Sequence, residues 1–436
     1  MTTPTRIKLQ EYGAPVVLQI ENLDLRALTE ANKRWKNALG LSGDPIRVED
    51  IGNGFVKLRA EAVTGVVRIG DADIEIAPKF LSASDGNWQT VLWRILTVVE
   101  GGYVDDNLTT AHHLASLSMP DLLAEIFLSS YVKGAACGLP RSYQSERATG
   151  NILRGSLDTA RLGAWVARPW ELPYVSDHLT DDTALARLLR WSAECLSATV
   201  KSPARARAAR DIAAALAHVG RQPPHLIDAQ RITLGIQHQG LAASRMVGLL
   251  LLEGAGVHHA SGEHALSGFL WNSDVIYENY VYWLCRRAAS RFGNRVSKGV
   301  IKFGEVIIGT GSKLETTPDV VFRNLQRVPV AVTDSKYKRL GSRPKSSDTY
   351  QVLTASHVLG CQRVSLTYPV AVNRKPTVWR VQSALGSSDI ELTALPLNLM
   401  SLALPEGSKA LIETISEWLD GELFANVTES ACALCE

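Results

Sequence analysis

A chain of 436 residues is longer than one ordinary core accommodates, so two or three folding units are expected. Hydrophobic residues at 46% and charged residues at 21% are ordinary globular usage and argue against extensive disorder. With 46 basic against 44 acidic residues, the net charge of +2 does not single out nucleic-acid binding, so any such contact must come from local clusters.

The amino-terminal MTTPTRIKLQEYG lacks an apolar signal core, and nowhere do eighteen uncharged apolar residues run together; a cytoplasmic protein with no membrane span is expected. Residues 7–19 read as extended, 23–41 as helix and 55–80 as a β-meander. Within VVRIGDADIEIAPKF, apolar and polar residues alternate around Gly70-Asp71, which suits a hairpin turn. Helical periodicity marks 88–99, 121–133 and 182–219, the last interrupted at Lys201-Ser202-Pro203. Lys201, Arg205, Arg207 and Arg210 crowd this break; such a run either tracks a phosphate backbone or is the solvated face of a helix. Residues 271–369 read as helix, three strands, helix, strand. The expectation is an α+β multidomain chain: a β-rich amino-terminal domain with flanking helices (1–160), a helical middle region (161–262), and a carboxy-terminal α/β domain with a mixed central sheet (263–436).

Six scattered cysteines, Cys137, Cys195, Cys285, Cys361, Cys432 and Cys435, do not form a disulfide framework, and most should be buried thiols. Cys432-Ala-Leu-Cys435 has the spacing of half a zinc knuckle, with no second pair nearby to complete four ligands.

The chemistry concentrates in the third region. Thr317-Pro318-Asp319-Val320-Val321-Phe322 and Val330-Ala331-Val332-Thr333-Asp334-Ser335-Lys336 both have β-branched strand character, and the polar stretch between them predicts a hairpin. Strand alternation puts Asp334 and Lys336 on one face, and Asp319 at the start of the neighbouring strand could approach Asp334 closely enough for both carboxylates to hold a hard divalent cation. Phosphodiester hydrolysis uses that set: the metal neutralises phosphoryl charge and lowers the pKa of a bound water, while lysine orients or deprotonates the attacking water. Surface salt bridges would give the same letters. Glu278 lies inside the apolar helical run VIYENYVYWLC, where a carboxylate needs a partner; Arg286 or Arg287 would make it a structural ion pair, and a metal would make it a third acidic member of the site. Gln351 follows Ser347-Asp348, either of which could cap a helix, and could bind phosphate, orient Lys336 or face solvent.

No G-x-x-x-x-G-K-[ST] loop occurs, since Gly309-Thr310-Gly311-Ser312-Lys313 lacks both the spacing and the final hydroxyl residue, so the chain should bind no nucleotide. A G-x-S-x-G elbow and an H-E-x-x-H helix are also missing, which removes serine-hydrolase and zincin readings.

GVVRIGDADIEIAPKF, with Pro78-Lys79 closing its hairpin, then GNILRGSL, DVIYENYV, TPDVVF, DSKYK and SDTYQ together resemble the McrC family, nuclease subunits of McrBC-type modification-dependent restriction systems. The resemblance implies a PD-(D/E)xK fold over roughly 263–436, a catalytic set of Glu278, Asp319, Asp334 and Lys336 with Gln351 as accessory, and Mg²⁺ on Asp319, Asp334 and Glu278, with Mn²⁺ able to substitute. It implies double-stranded DNA as substrate and an McrB-like AAA+ GTPase hexamer as partner, engaged through amino-terminal residues for which Arg59, Arg68 and Lys79 are the cationic candidates. Ser335 stands where family members usually carry alanine, and it is expected to face away from the site. Ala355 stands in place of a usual aromatic. The rival readings are a non-catalytic subunit that activates an NTPase and a nuclease that works alone.

Overall fold

Hairpins of consecutive strands, tied together by pairings between strands far apart in sequence, organise this chain. The computed structural model describes residues 5–19, 23–69, 72–81, 87–99, 119–136, 138–161, 163, 168–253, 266–304, 314–382, 389–404 and 406–421. Two compact units emerge: Met1–Met119 together with His259–Glu436, and Pro120–His258.

The first unit begins with β1 (Thr5–Gln10), β2 (Val16–Gln19), α1 (Leu25–Ala38), β3 (Ile46–Gly52), β4 (Phe55–Ala60), β5 (Val63–Ile69), β6 (Ala72–Ala77) and α2 (Asn87–Val99). Asp24 caps α1 by accepting from the Ala27 amide at 3.0 Å. The helix buries Ala27, Leu28, Ala31, Asn32 and Trp35, one helical face. Asn32 both donates to the Ile46 carbonyl at 2.7 Å and accepts from its amide at 3.1 Å, which satisfies a buried side chain and ties α1 to β3. β5 and β6 form the expected antiparallel hairpin, although its turn at Gly70-Asp71 lies outside the described residues. Strand β1 adds to β6 in parallel, and every residue of β6 is buried.

In the second unit are α3 (Met119–Ala135), β7 (Ser142–Gly150), β8 (Ser156–Leu157), β9 (Leu172–Thr180), α4 (Ala184–Thr199), α5 (Pro203–Ala215), α6 (Leu226–Gln230) and α7 (Ala242–Glu253), with strand order β7-β9-β8. The interruption at Lys201-Ser202-Pro203 is a new helix start: Ser202 caps α5 and Pro203 opens it. Gly155, within the GNILRGSL run, has φ +98°, and a Cβ there would lie 2.2 Å from the Val175 carbonyl oxygen, so only glycine fits.

The first unit resumes with β10 (Leu266–Asn272), α8 (Ser273–Arg291), β11 (Arg295–Ser297), β12 (Ile301–Gly304), β13 (Leu314–Thr316), β14 (Val320–Arg323), β15 (Pro329–Ser335), α9 (Ser346–Leu359), β16 (Arg363–Val370), β17 (Thr377–Val381), β18 (Ile390–Asn398) and α10 (Gly407–Asp420). β10 does not join the sheet that follows it. It pairs antiparallel with β5, from Leu266 opposite Ile69 to Asn272 opposite Val63, and completes the sheet β1-β6-β5-β10. The later strands form a six-stranded sheet, β11-β14-β15-β16-β18-β17, parallel at β15-β16 and β16-β18 and antiparallel elsewhere, so the sheet is mixed as expected. The crossover from β15 to β16 carries α9, whose Val352 and Ala355 pack with Val332, Val364 and Leu366. Trp418 of α10 is fully buried against Phe322, ring centroids 5.7 Å apart. No described helix is long and apolar enough to cross a membrane.

Candidate active site at the carboxyl end of β15

The β14–β15 register sets Val320 opposite Thr333 and Val321 opposite Val332, so Asp319 and Asp334 come together at one end of the hairpin. Asp334 is 2% exposed, and the Lys336 ammonium forms an ion pair with its Oδ2. Burial lifts the Asp334 carboxyl to about 6; the charge of Asp319 pushes the same way, while Lys336 and the Asp319 amide oppose it. Burial also raises Asp319, helped by the charge of Glu278, against hydrogen bonds from Ser335. A buried and a half-buried carboxylate thus share one lysine, and an oxygen-preferring divalent cation between them would relieve a repulsion already built into the fold.

Ser335 does not face away from this site. Its amide donates to Asp319 Oδ2 at 2.7 Å, and its hydroxyl donates to the same oxygen. Asp319 precedes the first residue of β14, where strand alternation no longer dictates its direction, so its carboxylate reaches Ser335. Lys336 is fixed from three sides: its amide donates to the Thr367 carbonyl at 2.9 Å, its ammonium meets Asp334, and the same ammonium donates to Gln351 Oε1 at 3.1 Å. Gln351 therefore orients Lys336.

Glu278 is half-exposed rather than enclosed, and its partner is neither Arg286 nor Arg287. Lys298 donates to Glu278 Oε1 at 2.8 Å and to Asn279 Oδ1 at 3.2 Å, and lies 5.1 Å from the Tyr282 ring centroid. Arg286 and Arg287 stand eight and nine positions further along α8, about 12 Å or more up the helix axis, beyond reach. Arg287 stacks over Trp283 instead. Among the described residues no three His, Cys, Asp or Glu side chains gather at one point, so the acidic centre is the Asp319–Asp334 pair with Glu278 beside it.

Neither Ser347 nor Asp348 caps α9: Lys345 occupies the N-cap with no side-chain cap, and buried Asp348 in the first turn is ion-paired with Lys338. Ala355 is fully buried, a core position of that helix.

A second buried cluster, not foreseen from sequence, adjoins the site through Tyr337. Glu11 is 1% exposed; its Oε2 accepts from the Tyr337 hydroxyl at 2.7 Å and from the Lys79 amide at 3.1 Å. The Lys79 ammonium lies 3.8 Å from the Tyr337 ring centroid, 5.1 Å from Tyr12 and 5.4 Å from Phe80. Burial raises Glu11 to about 7 and lowers Lys79; burial also raises Asp274, which Lys79 opposes. Lys79 is thus an internal cation and not a freely displayed one. Arg59 is exposed, 4.0 Å from Glu61, and the Arg68 side chain lies outside the described residues. Of the basic run near the helix break, Arg205 turns inward to Glu125 at 2.8 Å, which leaves no continuous phosphate track. Cys195, Cys285 and Cys361 are buried free thiols; Cys137, Cys432, Cys435 and the 309–313 glycine run lie outside the described residues.

The profile of the McrBC 5-methylcytosine restriction system component family matches residues 58–369. The chain belongs to this family. The matched span contains Glu278, Asp319, Asp334, Lys336 and Gln351. Among solved structures, the fold resembles a chain from the half-complex of a tetradecameric assembly of Thermococcus gammatolerans McrB AAA+ hexamers with bound McrC; identity is 16%, the TM-score is 0.60, and the match covers 95% of this chain and 100% of that one. A chain of the Thermococcus gammatolerans McrBC complex also matches, at 15% identity and TM-score 0.43, covering 65% of this chain and 88% of that one. No curated protein matches.

Proposed function

We propose that this McrBC component is a Mg²⁺-dependent PD-(D/E)xK endonuclease subunit that cleaves double-stranded DNA with an McrB-like AAA+ GTPase hexamer. The carrying observation is the convergence of half-buried Asp319 and buried Asp334 with Lys336 at the end of one hairpin, inside the span matched by the family. Such a pair strains the fold, as ionisable groups held for chemistry commonly do. Asp319 and Asp334 would hold the cation, with Glu278 as a further donor once it exchanges Lys298 for the metal. When bound, Mg²⁺ supplies charge neutralisation at the phosphoryl oxygens and Lewis acidity. Gln351 and Asp334 hold the Lys336 ammonium in place, where it orients the attacking water and stabilises charge growing on the phosphate. The partner reading draws support from family membership and from the shared fold with a chain of an assembly of McrB AAA+ hexamers with bound McrC.

Plasmid cleavage with the partner, GTP and Mg²⁺ tests this directly. Asp334→Asn and Lys336→Ala are expected to lower the cutting rate at least about 100-fold, while partner GTPase stimulation persists. A wild-type chain that stimulates GTPase and never cuts would establish the scaffold reading; cutting by the chain alone, without nucleotide, would establish a self-contained nuclease.

A further inference from the structure

Beyond the carboxyl ends of β15 and β16 lies a cleft of about 330 Å³ walled by Lys79, Phe80, Arg339, Leu340, Pro369 and Arg374, among other residues. No carboxylate lines it. Arg339 and Arg374 are exposed, and no ion pair engages either one among the described residues. The charge here is therefore of a different kind from that around Asp334, where each lysine has an acid. Lys79 is already balanced by Glu11 and Asp274 behind the wall, but Arg339 and Arg374, two cations at one concavity without an acidic partner, repel one another and favour an anionic occupant. Phe80, Leu340 and Pro369 give the same concavity an apolar wall suited to a sugar or base.

Its position is set by register. The Lys336 amide bonds to the Thr367 carbonyl, so Lys336 lies level with Tyr368, and Val370 at the cleft lies two residues further along β16. At about 3.3 Å per residue this is roughly 7 Å, close to two base-pair steps of about 3.4 Å each. Both features sit at the same end of a parallel pair of strands, where open α/β sheets bind ligands.

We propose that this cleft is a phosphate subsite that grips the DNA backbone next to the scissile bond, with Arg339 and Arg374 paired to phosphodiester oxygens. The assignment rests on the nuclease reading for the neighbouring bond, and on the cleft alone for the anion. Lys79 joins the wall of the subsite to the Glu11–Tyr337 cluster.

The test is anisotropy of a fluorescein-labelled 30-base-pair duplex with the full chain in EDTA, titrated over a salt series. The variants are Arg339→Ala, Arg374→Ala and both together, with Arg34→Ala on α1 as control. The double variant is expected to bind several-fold more weakly at low salt, with a log K against log salt slope shallower by about 1.8, and each single variant by about 0.9. Arg34→Ala should match wild type, and millimolar nucleoside monophosphate should not displace the duplex. An unchanged slope, displacement by the mononucleotide, or a wild-type chain that does not hold the duplex at low salt overturns the inference. Plasmid cleavage run in parallel separates the two readings. If no preparation cuts while the arginines still set the slope, the nuclease reading falls and the subsite stands; if cutting is intact and the slope is indifferent to both arginines, the reverse holds.

Discussion

Placing Asp334 in the interior beside Asp319 imposes a cost that any functional account must offset. A carboxyl raised in the folded state to about 6 from its ordinary 3.8 favours the protonated fold, so its contribution is complete below about pH 4 and is lost as pH rises through about 6. That two-unit shift, already net of the attraction of Lys336, corresponds to at most about 3 kcal/mol. Asp334→Asn keeps the shape and removes the charge. In EDTA at pH 7.5 the variant is expected to be more stable than wild type by about 1–2 kcal/mol, the advantage shrinking toward pH 4. Thermal unfolding at both pH values reads this; a destabilised variant at pH 7.5 would mean that the Lys336 pair outweighs the repulsion. Gain of stability with loss of cutting would identify Asp334 as held for chemistry. Ser335 belongs to the same argument, because its two hydrogen bonds favour the charged form of Asp319 and oppose the larger upward push of burial.

Among elements, the junction of β1, the β6 end and the β15 end concentrates the unforeseen chemistry. Glu11 is raised to about 7 by burial, against Lys79, the Tyr337 hydroxyl and the Lys79 amide, while Asp274 adds to the rise. Its stabilising contribution is therefore present below about pH 4.5 and disappears as pH climbs to about 7, on the order of 3 kcal/mol across that window. Glu11→Gln should flatten the fall in unfolding midpoint between pH 5 and 7.5, and superimposable profiles for variant and wild type would dismiss the idea. This cluster also marks the limit of what the sequence disclosed. The hairpin of Asp319 and Asp334 was legible because β-branched residues and a polar turn are local signals, and the helix break at Pro203 was legible for the same reason. Glu11 meets Tyr337 only through a parallel strand pairing and a distant loop, for which a short window of sequence carries no mark. Ser335 was misread because alternation along β15 alone turns it away from the face of Asp334 and Lys336, whereas Asp319, just outside β14, reaches across to it.

At the scale of the whole molecule, the first unit is assembled from both ends of the sequence, with residues 120–258 forming the other unit. The partition at 263 expected from the nuclease motifs would cut between elements that share hydrogen bonds. β10 forms a seven-residue antiparallel ladder with β5, and Tyr337 completes the hydrogen bonding of Glu11. A fragment of residues 263–436 would leave β10 as an exposed edge and the Tyr337 ring without Lys79 above it, both aggregation hazards. Expressed alone, that fragment is expected to be insoluble or to unfold at least about 10 °C below the intact chain, in keeping with a loss of several kcal/mol. Co-expression with residues 1–119 should restore solubility, because the missing strands return in trans. Size-exclusion chromatography and thermal unfolding of the three preparations decide the matter. A fragment as stable as the full chain would show that the β5–β10 ladder is dispensable, and that the six-stranded sheet folds without the amino-terminal strands.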